Sequence, residues 1–149
     1  MKWISIKNSD LESALNKPQL DVLKAAALSS PNKDAAADII SSITTRIRAE
    51  VAACEKNTLD PDHSTIPPEL KECALSLILE ALVARIPSMK FGDAIEKRAI
   101  YARETLVKVA CCELPVTRPV GGIRVSGKKG ISICHTRGNR ISRTSMEGL

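Results

Sequence analysis

Apolar residues before residue 118 recur at the three- and four-residue spacing of an α-helix. In the segment "SSPNKDAAADIISSITTRIRAEVAACEKN" the stripe persists for about four turns, and its members are Ile39, Ile40, Ile43, Ile47 and Val51. A second stripe lies in "FGDAIEKRAIYARETLVKVACCELP" and consists of Ile95, Ala99, Ala102, Leu106 and Val109. Both segments are therefore predicted to be amphipathic helices, and Pro115 is predicted to close the second one.

Two short helices are predicted ahead of the first stripe. Ser9 and Glu12 have the spacing of a capping box, in which two side chains satisfy free N–H groups at a helix start. Asn16 followed by Pro18 predicts a second short helix, with Asn16 as its N-cap and Pro18 in its first turn.

The segment "PPELKECALSLILEALVARIP" is apolar on nearly all sides. A helix of this kind is usually surrounded by other elements, so it is predicted to be the central helix and to end at Pro87. Its one continuous polar line consists of Glu72, Ser76 and Glu80. We expect this line to face solvent or a neighbouring subunit.

The pattern changes after Pro119. Gly121 and Gly122 interrupt any helix, and the segment "IRVSGKKGISI" alternates apolar and polar residues around a Gly-Lys-Lys-Gly turn. A β-hairpin over residues 122–134, or two short strands, is therefore predicted. The residues expected to lie opposite one another are Ile123, Val125, Ile131 and Ile133. A lone hairpin is marginal in water, so it is expected to pair with another sheet edge.

Together these patterns predict an all-α fold, a small helical bundle of four to five helices with an extended, partly β-like C-terminal tail. The helical domain is placed at residues 1–117 and the tail at residues 118–149. A chain of 149 residues that is 44% hydrophobic can bury a core, which excludes a disordered chain. Because its aromatic residues are only Trp3, Phe91 and Tyr101, the core is expected to be aliphatic.

The net charge of +5 is concentrated in the tail. Residues 1–117 hold 15 Lys/Arg and 16 Asp/Glu, whereas residues 118–149 hold seven basic residues and one acid. The high pI therefore describes the tail and not the domain. The basic residues are Arg118, Arg124, Lys128, Lys129, Arg137, Arg140 and Arg143.

The candidate chemistry in the sequence is sparse. The five cysteines (Cys54, Cys73, Cys111, Cys112 and Cys134) do not have zinc-site spacing, and the "DPDHS" stretch reads as a solvated turn. There is no Gly-rich phosphate loop and no nucleophile–base arrangement. We therefore expect no catalytic, cofactor or metal site and no enzymatic activity. Without a secretory signal or a membrane-length apolar run, the chain is expected to be intracellular, with reduced thiols.

Three interpretations of the tail remain open. It can be a solvated terminus, a sequence-independent contact with phosphates, or a strand that adds to the exposed sheet edge of a partner. The third is favoured, because a purely electrostatic tail does not need alternating Ile and Val.

The middle of the chain resembles the head–tail connector (adaptor) proteins of tailed bacteriophages, and is closest to the Mu-like type. The resemblance covers roughly residues 10–117 and rests on "TIPPELKECALSLILEALVARIP" and "EKRAIYARETLVKVACCELPV". The matching residues are Ile66, Pro67, Pro68, Leu70, Lys71, the stretch 101–106, Leu114 and Pro115.

The resemblance implies a homo-oligomeric ring at the phage neck, in the virion, assembled in the bacterial host cytoplasm. It also implies that the tail grips the portal protein while the domain receives a tail-terminator or tail-completion protein. The basic residues would then lie near packaged DNA, and no membrane is involved. The alternative is a small nucleic-acid-binding protein with a helical core and a basic C-terminal arm.

Overall fold

The long helices predicted from the apolar pattern are present in a computed structural model of the protein. The structure describes residues 2–19, 21–22, 35–85 and 93–124. Helices account for 64% of the described residues, so the predicted all-α class is confirmed. In chain order the elements are β1 (Ile4–Ser5), α1 (Asn8–Ala14), α2 (residues 17–19 and 21–22), α3 (Ala35–Ala53), β2 (Thr65–Ile66), a 3-10 turn (Pro68–Leu70), α4 (Lys71–Arg85) and α5 (Asp93–Ala110).

Helix α4 is the central helix of the described bundle, as its apolar character predicts. It packs against α1, α3 and α5. The predicted stripes of α3 and α5 face it, and their most deeply buried members are Ile47, Val51, Ala99, Ala102, Leu106 and Val109. Each large aliphatic side chain buried in this way contributes about 1.5–3 kcal/mol to folding. The core is aliphatic as expected, with Trp3 as its large aromatic residue.

The first helix begins earlier than its predicted cap. Lys7 is the N-cap of α1, and its backbone N–H donates to Asp10 Oδ2 at 2.9 Å. The capping-box acid is therefore Asp10 and not Glu12, because the helix already includes Ser9. The predicted start of α2 is confirmed.

A small antiparallel sheet was not predicted. Strand β1 pairs with β2, with Ile4 opposite Ile66 and Ser5 opposite Thr65. Each strand has two residues, which is too short for an alternating pattern to stand out in the sequence. The sheet attaches the beginning of the chain to the loop between α3 and α4.

Helix α5 ends at Ala110, ahead of the predicted stop at Pro115. The backbone N–H of Glu113 donates to the Lys108 carbonyl at 2.9 Å, and that of Cys112 to the Val109 carbonyl at 3.1 Å. This is a Schellman motif, whose left-handed position is usually glycine. Here Cys112 occupies that position, with φ 60°.

The polar line of α4 does not lie wholly toward solvent or another subunit. Glu80 accepts a hydrogen bond from the Arg103 guanidinium of α5, an ion pair within the same chain that raises the pKa of Arg103. Ser76 Oγ donates to the Glu72 carbonyl at 2.9 Å. Glu72 is exposed. The line is thus partly used to pair α4 with α5.

Candidate interaction site at the start of the C-terminal tail

The structure describes the first residues of the predicted tail, 118–124, which we call the tail start. Of the predicted contact residues, Arg118, Ile123 and Arg124 lie in it, and all three are exposed. The others lie outside the described residues, as does most of the predicted hairpin 122–134. They are Val125, Lys128, Lys129, Ile131, Ile133, Arg137, Arg140 and Arg143.

The tail start is paired with the loop that follows α3. The N–H of Leu59 donates to the Ile123 carbonyl at 2.9 Å, and the N–H of Ile123 donates to the Leu59 carbonyl at 2.8 Å. This antiparallel bridge needs Gly122, since a Cβ there would lie 2.8 Å from both Pro119 Cγ and Thr58 Oγ1. The tail therefore leaves the helical domain from a fixed point.

A second attachment precedes the tail start. Trp3 Nε1 donates to the Thr117 carbonyl at 2.8 Å, and the Thr117 N–H donates to Glu69 Oε1 at 3.2 Å. The Thr117 hydroxyl donates to the same carboxylate oxygen. The chain is consequently held on both sides of the predicted boundary at residue 117.

Arg48 connects the loop after α3 to the rest of this region. Its Nη1 donates to the carbonyls of Asp62 and Thr65, both at 2.8 Å, and its Nη2 to the Asp60 carbonyl at 2.6 Å. The guanidinium carbon lies 5.5 Å from the centroid of the Trp3 ring, a cation–π distance. Burial lowers the pKa of Arg48, while nearby Asp60 and Asp62 favour the charged form.

Sequence reasoning missed Arg48 as a structural residue. The one sign of its burial in the sequence is its position. Arg48 follows the buried Ile47 and lies four residues after Thr44, which is also buried. An arginine beside an apolar stripe is most often solvated, so this spacing alone does not identify the loop that it binds.

A disulfide corrects the expectation of reduced thiols. Cys54 and Cys112 are bonded, with their Cα atoms 5.3 Å apart, within the usual range for a disulfide. Cys54 follows the last residue of α3 and Cys112 lies just beyond α5, so the bond joins the C-terminal ends of two helices. Cys73 is a half-buried free thiol, and burial raises its pKa.

The loop around His63 is a turn, as expected, and it is ordered by its own aspartates. Asp60 Oδ1 accepts from the Asp62 N–H at 2.9 Å, and Asp62 Oδ1 accepts from the Ser64 N–H at 2.9 Å. The Ser64 hydroxyl donates to the same oxygen, and the two hydrogen bonds from Ser64 lower the pKa of Asp62. Within the described ranges, no group of three or more His, Cys, Asp or Glu side chains is placed to hold a metal ion.

Exposed apolar side chains cluster near the tail start and on the outer face of α5. Val120 is 81% exposed and Ile123 is 57% exposed. The others are Ile100, Tyr101, Val107 and Leu114. The side chain of Ile123 is therefore exposed, while its backbone is already paired with Leu59 within the chain.

No helix in the described part of the chain has the length and apolarity required to cross a membrane. In comparisons with known proteins, no family model, no curated protein and no solved structure matches this chain.

Proposed function

We propose that this chain is a structural head–tail adaptor, which forms a ring at the neck of a tailed bacteriophage between portal and tail. The observation that carries the proposal is the fixed departure point of the tail. The Leu59–Ile123 bridge and the Trp3–Thr117 hydrogen bond both hold the chain just where its charge and its alternation change. A basic, strand-like segment presented from a braced helical domain is suited to docking on a partner.

In this proposal the C-terminal tail docks on the portal protein by adding a strand to an exposed sheet edge. Main-chain hydrogen bonds supply affinity, and the apolar side chains of Ile131 and Ile133 supply specificity. A segment that becomes ordered on binding has a lower affinity than a preformed surface of the same buried area. A ring supplies many copies at once, so each contact can be weak while the assembly is stable.

The domain side of the ring would receive the tail-terminator or tail-completion protein. Basic residues such as Lys128, Lys129 and Arg137 would lie near packaged DNA and contact its phosphates without sequence preference. The chain would then be a component of the virion neck, assembled in the host cytoplasm.

Quantitative mass spectrometry of purified particles tests the proposal, with the portal protein as internal reference. We expect this chain in copies comparable to those of the portal. If it is absent from particles in which portal and capsid proteins are abundant, the adaptor proposal is wrong.

Docking on the portal is tested with a chain cut after Arg124. This cut keeps every described contact of the tail start, including the Leu59–Ile123 bridge. The shortened chain should therefore fold, and circular dichroism checks that its helix content matches that of the full chain. We expect the shortened chain to lose portal binding. Undiminished binding would show that the tail is not the docking element.

The alternative, a nucleic-acid-binding protein, is tested by titrating the full chain with duplex DNA at several salt concentrations. A tail that neutralises Z phosphates gives a slope of about −0.9Z in log K against log salt. Arg48 is buried against backbone carbonyls, so the pair Arg46 and Arg48 does not form an exposed basic patch. DNA binding by a chain that is absent from particles would favour this alternative.

A further inference from the structure

The outer face of α5, opposite its buried stripe, is exposed and partly apolar. The helix packs against α3 and α4 through the buried stripe. On the other side Tyr101 is 68% exposed and Val107 is 52% exposed, and Ile100 is exposed as well. Apolar side chains that share one exposed helix face are typical of a surface that contacts another molecule.

Four charged side chains form a line along the same face. In chain order their signs are negative, positive, negative and positive, and the residues are Asp93, Lys97, Glu104 and Lys108, all of them exposed. At about 100° per residue the four fall within about 60° of the helix circumference. Ile100 and Val107 lie on one side of this line and Tyr101 on the other. Within the described ranges none of the four forms an ion pair, although Glu104 and Lys108 have the spacing that permits one.

The order of these charges is self-complementary for an antiparallel pair of helices. The midpoint between Asp93 and Lys108 lies between residues 100 and 101, and the midpoint between Lys97 and Glu104 lies at the same place. When a second α5 runs in the opposite direction about that midpoint, Asp93 lies level with Lys108, and Lys97 lies level with Glu104. A parallel pair in register would instead place each charge level with a like charge, which is unfavourable.

We propose that α5 pairs with α5 of a second copy of the chain, antiparallel and about a two-fold axis between Ile100 and Tyr101. Two-fold symmetry produces each of the two charge pairs twice. The apolar side chains of both copies meet around the axis and leave water there, while the charge pairs fix the register.

The basic residues beside this face do not oppose the pairing. The same symmetry places Arg98 level with Arg103, but both lie away from the contact. Arg103 is directed to α4, where it pairs with Glu80. Arg98 lies about 80° beyond Lys108 around the helix. The side chains left on the contact face are therefore those with an opposite charge or an apolar group to meet.

This pairing goes beyond the proposed function, because it requires neither a portal nor a tail protein. A two-fold contact uses the same surface on both molecules and closes on itself. It therefore joins two copies without forming a ring, and a ring would need a different surface.

Sedimentation equilibrium of the purified full chain tests the pairing. We expect a monomer–dimer equilibrium in the wild type. Lys97→Glu and Glu104→Lys should each weaken the dimer by about tenfold or more, because each substitution places like charges level with one another. A wild type that is monomeric at every concentration would overturn the inference, and so would a dimer that neither substitution weakens.

An equimolar mixture of the two single variants tests the register itself. In a mixed pair, opposite charges are again level at both positions, so the mixture should dimerise about as tightly as the wild type although neither variant does so alone. The control is Arg46→Glu on the exposed side of α3, which makes the same charge change as Lys97→Glu and should leave the dimer unchanged.

Circular dichroism checks that each variant keeps its helix content. A mixture that dimerises no more tightly than its two components would contradict the antiparallel register, and equal weakening by the Arg46 substitution would show that only net charge matters. Because the purified chain suffices, failure here leaves the particle measurement unaffected.

Discussion

At the scale of single residues, Arg48 is the side chain that holds the loop after α3 in place. Its guanidinium satisfies the carbonyls of Asp60, Asp62 and Thr65 in one planar group. Lysine could not reproduce this, because an ammonium lacks the fixed fork geometry. The acceptors are backbone carbonyls, which every residue has. The sequence of the loop therefore does not indicate that Arg48 binds it.

Replacing Arg48 by Met should lower the free energy of unfolding by about 3 kcal/mol, because three carbonyls lose their donor. Urea denaturation measures this loss. The control is Arg46→Met, an exposed position on the same helix, for which we expect a change within about 0.5 kcal/mol. Similar losses for both variants would show that the Arg48 hydrogen bonds are not stabilising.

Cys112 combines a disulfide with a left-handed backbone conformation, and the two effects can be separated. In the presence of reductant, Cys112→Gly should be more stable than Cys112→Ala by about 1 kcal/mol, because only glycine adopts this conformation without cost. Without reductant, both variants should be less stable than the wild type by up to about 4 kcal/mol. Thermal unfolding measures both comparisons. Equal stability of the two variants in reductant would contradict the Schellman assignment.

At the scale of helices and strands, Asp10 links α1 to α4. Its Oδ2 accepts from the Lys7 N–H and its Oδ1 from Lys71 Nζ, at 2.9 and 2.7 Å. The hydrogen bond from Lys71, followed by that from Lys7, lowers the pKa of Asp10 below its usual 3.8. The folded state therefore favours the ionised carboxylate.

The contribution of Asp10 should depend on pH. Because its pKa is lower in the folded state, its stabilisation is present above pH 3.8 and is lost as pH falls through the folded-state pKa. Asp10→Asn should lower the free energy of unfolding by about 1 kcal/mol at neutral pH, since the cap and the partly exposed ion pair each contribute modestly. The difference from wild type should vanish in acid. A double-mutant cycle with Lys71→Met isolates the ion pair, and a pH-independent difference would contradict the assignment.

The helices were predictable because each repeats its apolar spacing over several turns. Residues 39–51 and 95–109 show this directly. The packing of α4 follows from its apolar surface, which only one narrow polar line interrupts. Strands β1 and β2 were not predictable, since two residues cannot display a period. Which side of Thr65 is free to face β1 depends on its hydrogen bonds with Asp62 and Arg48, and only the arrangement in space determines these contacts.

At the scale of the whole molecule, the described contacts hold the two ends of the domain together. Trp3, near the N-terminus, reaches Thr117, and the tail start pairs with the loop after α3. The Cys54–Cys112 bond closes a loop that contains β2, α4 and α5. The beginning of the chain and the tail start are thus both attached to the part of the molecule that this bond closes.

This closed loop determines how the molecule would carry a mechanical load. Tension applied between the N-terminus and the C-terminal tail passes through the Cys54–Cys112 bond, so α4 and α5 are not stretched. The bonded cysteines are 58 residues apart in sequence, so the bond protects about 200 Å of extended chain from being pulled out. In an optical-trap experiment without reductant, unfolding of the Cys54→Ala variant should therefore be longer by this amount than unfolding of the wild type. A pull on either end of the chain would extend only the residues outside this loop for as long as the bond is intact.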